Sequence, residues 1–84
     1  MDAPTRHERT LRPLEARLEA LAVVTERAPG GARRYDTQID GVFAATRHAV
    51  ALELISQDEA GAIWAAVAQR HPGAGWCHVG PLAA

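Results

Sequence analysis

The sequence lacks several features on which common protein classes depend. Its 84 residues contain one cysteine, so an internal disulfide is excluded. No apolar run approaches the ~20 residues of a membrane-spanning helix, and the N-terminus has no apolar signal-peptide core. We therefore expect a cytoplasmic protein without a membrane partner.

An excess of charge of one sign is also missing. Lysine is absent, and nine arginines against ten acidic residues leave a formal net charge of −1. Nucleic acids and anionic membrane surfaces attract proteins with a basic excess. The composition therefore argues against a nucleic-acid partner.

Large apolar side chains are scarce as well. Apolar residues make up 48% of the chain, but eighteen residues are alanine. Alanine favours helix formation and buries little area. We expect helices around a thin core, which a partner chain would help to cover.

The spacing of apolar residues predicts an all-α fold, a small three-helix bundle. The helices are expected at about 11–28, 36–54 and 57–71. A polar N-terminal arm, 1–10, precedes the helical domain, 11–71, and an irregular Gly/Pro-rich tail, 72–84, follows it.

The start of the first helix has two interpretations. Proline is tolerated in a first turn, so Pro13 favours a start between Thr10 and Pro13. The alternative is a start at Thr5, boxed with Glu8, which would place Pro13 inside the helix.

The connection between the second and third helices has the clearest local signal. Asp36 is the expected N-cap of the second helix, and Ser56 and Glu59 form a Ser-x-x-Glu capping box for the third. Only Ile55 separates the second helix from this cap. The sequence therefore predicts a tight hairpin in which these helices are neighbours.

The hairpin sequence, residues 54–60 followed by Trp64, is similar to the short helical hairpins of SHOCT-type modules in bacterial proteins. The resemblance covers about the second half of the chain. It departs from the pattern at Glu53, where those hairpins carry glycine. The resemblance implies a role in oligomerisation.

Two surfaces are candidates for that role. The first helix carries a leucine stripe, and the second carries a face of small residues opposite its apolar face. A helix that is apolar or small nearly all round is normally buried on two sides, by its own bundle or by another molecule. The candidate interface residues are Leu11, Leu14, Leu18, Leu21, Gly41, Ala45, His48 and Leu52.

Metal binding and catalysis have little support. His71, Cys77 and His78 are the candidate metal ligands, with His48 as a fourth, but their spacing matches no standard zinc pattern. Cys77 and His78 are adjacent on a tail that we expect to be extended and outside any pocket. We predict no metal, no cofactor and no enzymatic activity.

The tail has two interpretations. In the first, Trp76, with Val79 and Leu82, folds back to cover the thin core. In the second, Trp76 and Cys77 are displayed to a partner or to a modifying enzyme, as in precursor peptides. The first interpretation is the favoured one.

The predicted function is that of a small helical protein-interaction module, an adaptor, regulator or small subunit that self-associates, with a homodimer as the first expectation. The first alternative is a precursor or carrier peptide whose Trp-Cys-His tail is modified or displayed. The second is a metal-binding or DNA-binding regulator, although Arg47 and Arg70 are the only basic residues except histidine in the second and third helices.

Overall fold

The computed structural model describes residues 5–28 and 31–80, which form a three-helix bundle without a strand. This confirms the all-α prediction. The helices are α1 (Arg6–Arg27), α2 (Asp36–Ala51) and α3 (Gln57–Arg70), with short 3₁₀ segments at Gly31–Tyr35 and Gly75–His78.

Helix α1 begins earlier than the favoured interpretation expected. Thr5 is the N-cap, and its Oγ1 accepts a hydrogen bond from the Glu8 backbone N–H at 3.1 Å. Pro13 therefore lies inside the helix. Residues 6–10, assigned to a polar arm, belong to α1, and residues 1–4 of that arm lie outside the described residues.

A long-range contact explains why the early turns of α1 are helical despite Pro13. The imidazole of His7 contacts the carboxylate of Glu59 in the first turn of α3. This contact holds the first turns of α1 against the bundle. Together with the Thr5 cap, it offsets the stability lost because Pro13 has no N–H to donate within the helix.

Helix α2 begins at Asp36, but Asp36 is its first helical residue and not its cap. Tyr35 occupies the N-cap position without a side-chain hydrogen bond. The helix ends at Ala51, three residues before the expected end at Leu54, because Glu53 adopts the left-handed conformation with φ of 59°. Residues 52–56 form the turn to α3.

Helix α3 begins with the predicted capping box. The Glu59 N–H donates to Ser56 Oγ at 3.1 Å, and the Ser56 N–H donates to Glu59 Oε1 at 2.8 Å. Both bonds satisfy backbone donors that have no partner within the helix.

The core is centred on Trp64 of α3, which is 1% exposed. Its Nε1 donates to Thr46 Oγ1 at 3.2 Å, and that hydroxyl donates to the Val42 carbonyl at 2.7 Å. The Phe43 ring lies 4.5 Å from the Trp64 ring, centroid to centroid. These contacts make α2 and α3 neighbours, as the hairpin predicted.

The segment after α3 folds back onto the bundle, as the favoured interpretation of the tail expected. Trp76 Nε1 donates to Thr25 Oγ1 of α1 at 2.9 Å, and the Trp76 ring meets Trp64 edge to face at 5.7 Å. Cys77 is buried. Val79 is 62% exposed and adds little cover, and Leu82 lies outside the described residues.

Candidate interaction surface

The leucine stripe of α1 lies inside the bundle and not on its surface. Leu14, Leu18 and Leu21 are at most 9% exposed, and Leu11 packs against the same core. Most of the stripe is therefore used within the folded chain, which corrects its assignment as an exposed interface, and among its described residues only Leu14 and Leu21 also line a surface hollow. The reason is the scarcity of large apolar residues, because α1 has to use its leucines to close its own core.

The small-residue face of α2 remains uncovered in the single chain. Gly41 and Ala45 are half-buried, whereas His48 and Leu52 are exposed, Leu52 by 55%. Helix α2 is therefore not sandwiched between its neighbours, and its second side is open.

A groove follows the seam between α1 and α2 at this open side. Its volume is about 320 Å³, and its walls combine aliphatic, small and few polar side chains. The lining residues are Thr10, Pro13, Leu14, Arg17, Ala45, His48, Ala49 and Leu54.

A second hollow of about 290 Å³ continues along the same seam. It is lined by Arg17, Ala20, Leu21, Val24 and Gln38. Arg17 belongs to both hollows and therefore separates them. We call the two hollows together the α1–α2 face.

The position of Arg17 depends on the absence of a side chain at Gly41. A Cβ atom at residue 41 would lie 2.8 Å from Arg17 Nη2, so the end of the Arg17 side chain would have to move. Gly41 thus lets the guanidinium of Arg17 lie across α2. The small-residue pattern of α2 therefore serves a contact within the chain at this position.

The α1–α2 face contains no carboxylate among its lining residues. Arg17 and His48 are its only groups that can carry charge. Glu19 and Glu26 of α1 instead contact residues of α3 and of the segment that follows it. The face is apolar to weakly basic.

Those two glutamates hold a polar cluster that sequence reasoning missed. His71 Nε2 lies 2.9 Å from Glu19 Oε1, and its Nδ1 lies 3.2 Å from Glu26 Oε1. Arg70 Nη2 donates to Glu19 Oε2 at 2.6 Å, and the Gly73 N–H donates to Glu26 Oε2 at 2.8 Å. The available signal was the seven-residue spacing of the glutamates, which places both on one side of α1.

The acidic and basic groups of this cluster stabilise each other's charged forms. Hydrogen bonds from Arg70 and then from His71 lower the pKa of Glu19 to about 2. The carboxylates of Glu19 and Glu26 raise the pKa of His71 above its ordinary value. The two carboxylates therefore favour the protonated form of His71, which contacts α1 as well as complementing the helix dipole.

Cys77 and His78 line one cavity, although the sequence placed them outside any pocket. The 3₁₀ segment turns both toward α3, where a cavity of about 300 Å³ is lined by Gly61, Trp64, Ala65, Ala68, Gln69, Cys77, His78 and Gly80. Burial, and then the Glu19 charge, raises the pKa of Cys77 to about 11. The thiol is therefore protonated at neutral pH and is a poor nucleophile.

The candidate metal ligands are distributed over different environments. His71 pairs with two glutamates, Cys77 is buried, and His48 lies on the α1–α2 face. Within residues 5–28 and 31–80, no group of three His, Cys, Asp or Glu side chains is arranged to hold a metal ion.

Comparison with known proteins gave no match, whether to protein-family models, to curated proteins or to solved structures. The similarity of residues 54–60 to SHOCT-type hairpins therefore depends on the sequence pattern alone. None of the helices described above has the length and apolar character needed to cross a membrane.

Proposed function

We propose that this chain is a small non-enzymatic protein-interaction module that self-associates through the α1–α2 face. The observation that supports the proposal is the pair of adjoining hollows along one helix seam, next to the exposed second side of α2. Exposed apolar surface of this kind is typical of protein interfaces.

The dimensions of the face suit a small, reversible dimer. Its lining runs along α1 from Thr10 to Val24, which at about 1.5 Å per residue is a length of roughly 22 Å. Two packed helices span roughly 20 Å, so the face offers on the order of 450 Å². A standard interface buries about 800 Å² on each partner, so the face has the area of a weak, reversible interface.

The exposed apolar side chains favour a second copy as the partner. Val24 is 39% exposed at one end of the face. Leu52 is 55% exposed and lies just beyond the other end of the face, one helical turn after His48 of its lining. In an antiparallel dimer, Val24 of one copy would approach Leu52 of the other, and the two-fold symmetry would repeat that contact.

The packing of the C-terminal segment favours this function over that of a displayed tail. Display would expose the buried Cys77 and break the hydrogen bond from Trp76 to Thr25. Both changes oppose release, because apolar surface would return to water and a partly buried donor would lose its partner.

The test is the mass of the tag-free chain by native mass spectrometry and by light scattering over a range of concentrations. We expect a dimer for the wild type and a folded monomer for Ala45→Arg, which introduces a charge into the centre of the groove. The dissociation constant of the Ala45→Arg dimer should be at least a hundredfold larger than that of the wild type, a loss of about 2.8 kcal/mol in the free energy of association.

Ala62→Arg is the matched control, because Ala62 is exposed on α3 and lines none of the hollows described above. It should keep the wild-type mass. A monomeric wild type at high concentration would overturn self-association. A dimer that tolerates Ala45→Arg as well as Ala62→Arg would overturn the assignment of the face.

A further inference from the structure

The environment of His71 has a property that is independent of the α1–α2 face. His71 is the C-cap of α3, its side chain is 15% exposed, and each ring nitrogen faces a carboxylate of α1. The distances are 2.9 Å to Glu19 and 3.2 Å to Glu26. The ring therefore bridges two acceptors.

This bridge requires both ring nitrogens to carry a proton. An ionised carboxylate only accepts hydrogen bonds, and a neutral imidazole has a single N–H. Once His71 loses a proton, one nitrogen presents its lone pair to a carboxylate oxygen. One of the two favourable contacts then becomes repulsive.

The bridge is connected directly to the C-terminal segment. Glu26 also accepts the Gly73 N–H at 2.8 Å. A Cβ at residue 73 would lie 2.9 Å from Glu26 Cγ, so the close approach needs glycine. Three residues later, Trp76 donates to Thr25, the neighbour of Glu26 in α1. The segment thus meets α1 at the residues that surround the bridge.

We propose that His71 is a pH-sensitive latch that holds residues 72–78 against α1 while its imidazole is protonated and loosens them when it is neutral. Glu26 is the side of the latch that opens, because Glu19 still accepts from Arg70 Nε at Oε1 and from Arg70 Nη2 at Oε2 when His71 is neutral. When the latch loosens, the Gly73 N–H separates from Glu26 first, and Trp76 then moves away from the core that it covers.

The other charged groups near the latch do not titrate in the same range. From α1, the carboxylates of Glu19, Glu26 and Glu15 act on the cluster, together with the guanidinium of Arg27; from α3, it is Arg70. The pKa values of Glu19 and Glu26 are lowered from 4.5, and arginine stays charged. The Cys77 thiol, with its pKa raised to about 11, stays neutral. His78, the other histidine of the segment, lines the cavity beside α3. Among the groups that contact Glu19 and Glu26, His71 is the one that changes charge near neutrality.

The test is amide hydrogen exchange of the full chain between pH 5.5 and 9, with rates corrected for the intrinsic effect of pH. We expect the protection of residues 73–78 to fall as pH rises, while the central amides of α1 and α3 stay protected. Each unit by which the pKa of His71 is raised in the closed state corresponds to a tenfold loss of protection.

Two variants separate the latch from a purely structural role. His71→Gln removes the titrating group and should make the protection of residues 73–78 independent of pH. Glu26→Gln should do the same and keep the segment closed, because its amide can donate to a neutral imidazole and still accept the Gly73 N–H. A wild type without pH dependence, or variants that retain it, would overturn the latch.

Discussion

At the scale of single residues, Glu53 shows how the chain ends α2. Glu53 has φ of 59° and is the one residue other than glycine with positive φ in the described chain. The Leu54 N–H donates to the Ala49 carbonyl at 2.9 Å, and the Glu53 N–H donates to the Val50 carbonyl at 3.0 Å. This pair of bonds is a Schellman motif, whose left-handed position favours glycine.

We therefore expect Glu53→Gly to stabilise the fold. A left-handed residue with a Cβ costs about 1–2 kcal/mol, which glycine avoids at some cost in unfolded-state entropy. The free energy of unfolding should rise by about 1 kcal/mol, which raises Tm by roughly 4–8 °C in a domain of this size. Thermal unfolding followed by circular dichroism measures the change.

The control for Glu53→Gly is Arg47→Gly, at an exposed position inside α2 where glycine brings only its flexibility. This variant should lower the free energy of unfolding by about 0.5–1 kcal/mol. If both variants lower Tm, the left-handed conformation at residue 53 is not strained.

At the scale of elements, the N-terminus of α1 shows where rules based on local sequence fail. Pro13 favoured a start at Thr10–Pro13 because proline fits a first turn. The alternative start at Thr5 is the one that forms, supported by the contact of His7 with Glu59, 52 residues away. The Ser56 box was predicted correctly because all its atoms lie within four residues. Contacts such as His7–Glu59 and His71–Glu19 join different elements, so spacing within one helix does not identify the partner.

Because Pro13 occupies the interior of α1, we expect Pro13→Ala to stabilise the chain. Alanine would donate the missing hydrogen bond to the Arg9 carbonyl and would remove the clash of the ring with it. The propensity difference is about 3 kcal/mol, and the greater freedom of the unfolded chain reduces it by about 1 kcal/mol. Urea denaturation should show a net gain of about 1–2 kcal/mol.

Pro13→Gly supplies the comparison for this gain. It restores the same hydrogen bond but should be about 1 kcal/mol less stable than Pro13→Ala, because glycine has a lower helix propensity. A Pro13→Ala variant less stable than the wild type would mean that the proline ring contributes more through its contacts in the α1–α2 groove than its missing bond costs.

At the scale of the whole molecule, the sequence predicted which residues share a face but not which face stays open. The spacing correctly grouped Leu14, Leu18 and Leu21, and separately Ala45 and His48. The leucines are buried because α3 and the C-terminal segment, through Trp64 and Trp76, close over the same core. The open side follows from the packing of all elements together, which periodicity within one helix does not contain.

The polar cluster around His71 gives the whole molecule a window of pH stability. The pKa of Glu19 is lowered from 4.5 to about 2, so its contribution is complete above pH 4.5 and disappears as pH falls toward 2. The pKa of His71 is raised from 6.5, so its contribution is complete below pH 6.5 and disappears as pH rises through the folded-state value. We expect maximal stability between about pH 4.5 and 6.5.

Urea midpoints measured from pH 3 to pH 9 test this window, and single variants assign its two sides. Glu19→Gln should flatten the acid side, and His71→Gln should flatten the alkaline side. Glu53→Gln should leave the profile unchanged, because the Glu53 side chain forms no ion pair with the described residues. If stability keeps rising above pH 7 in the wild type, His71 is not protonated in the folded chain, since a neutral imidazole would make no contribution to lose.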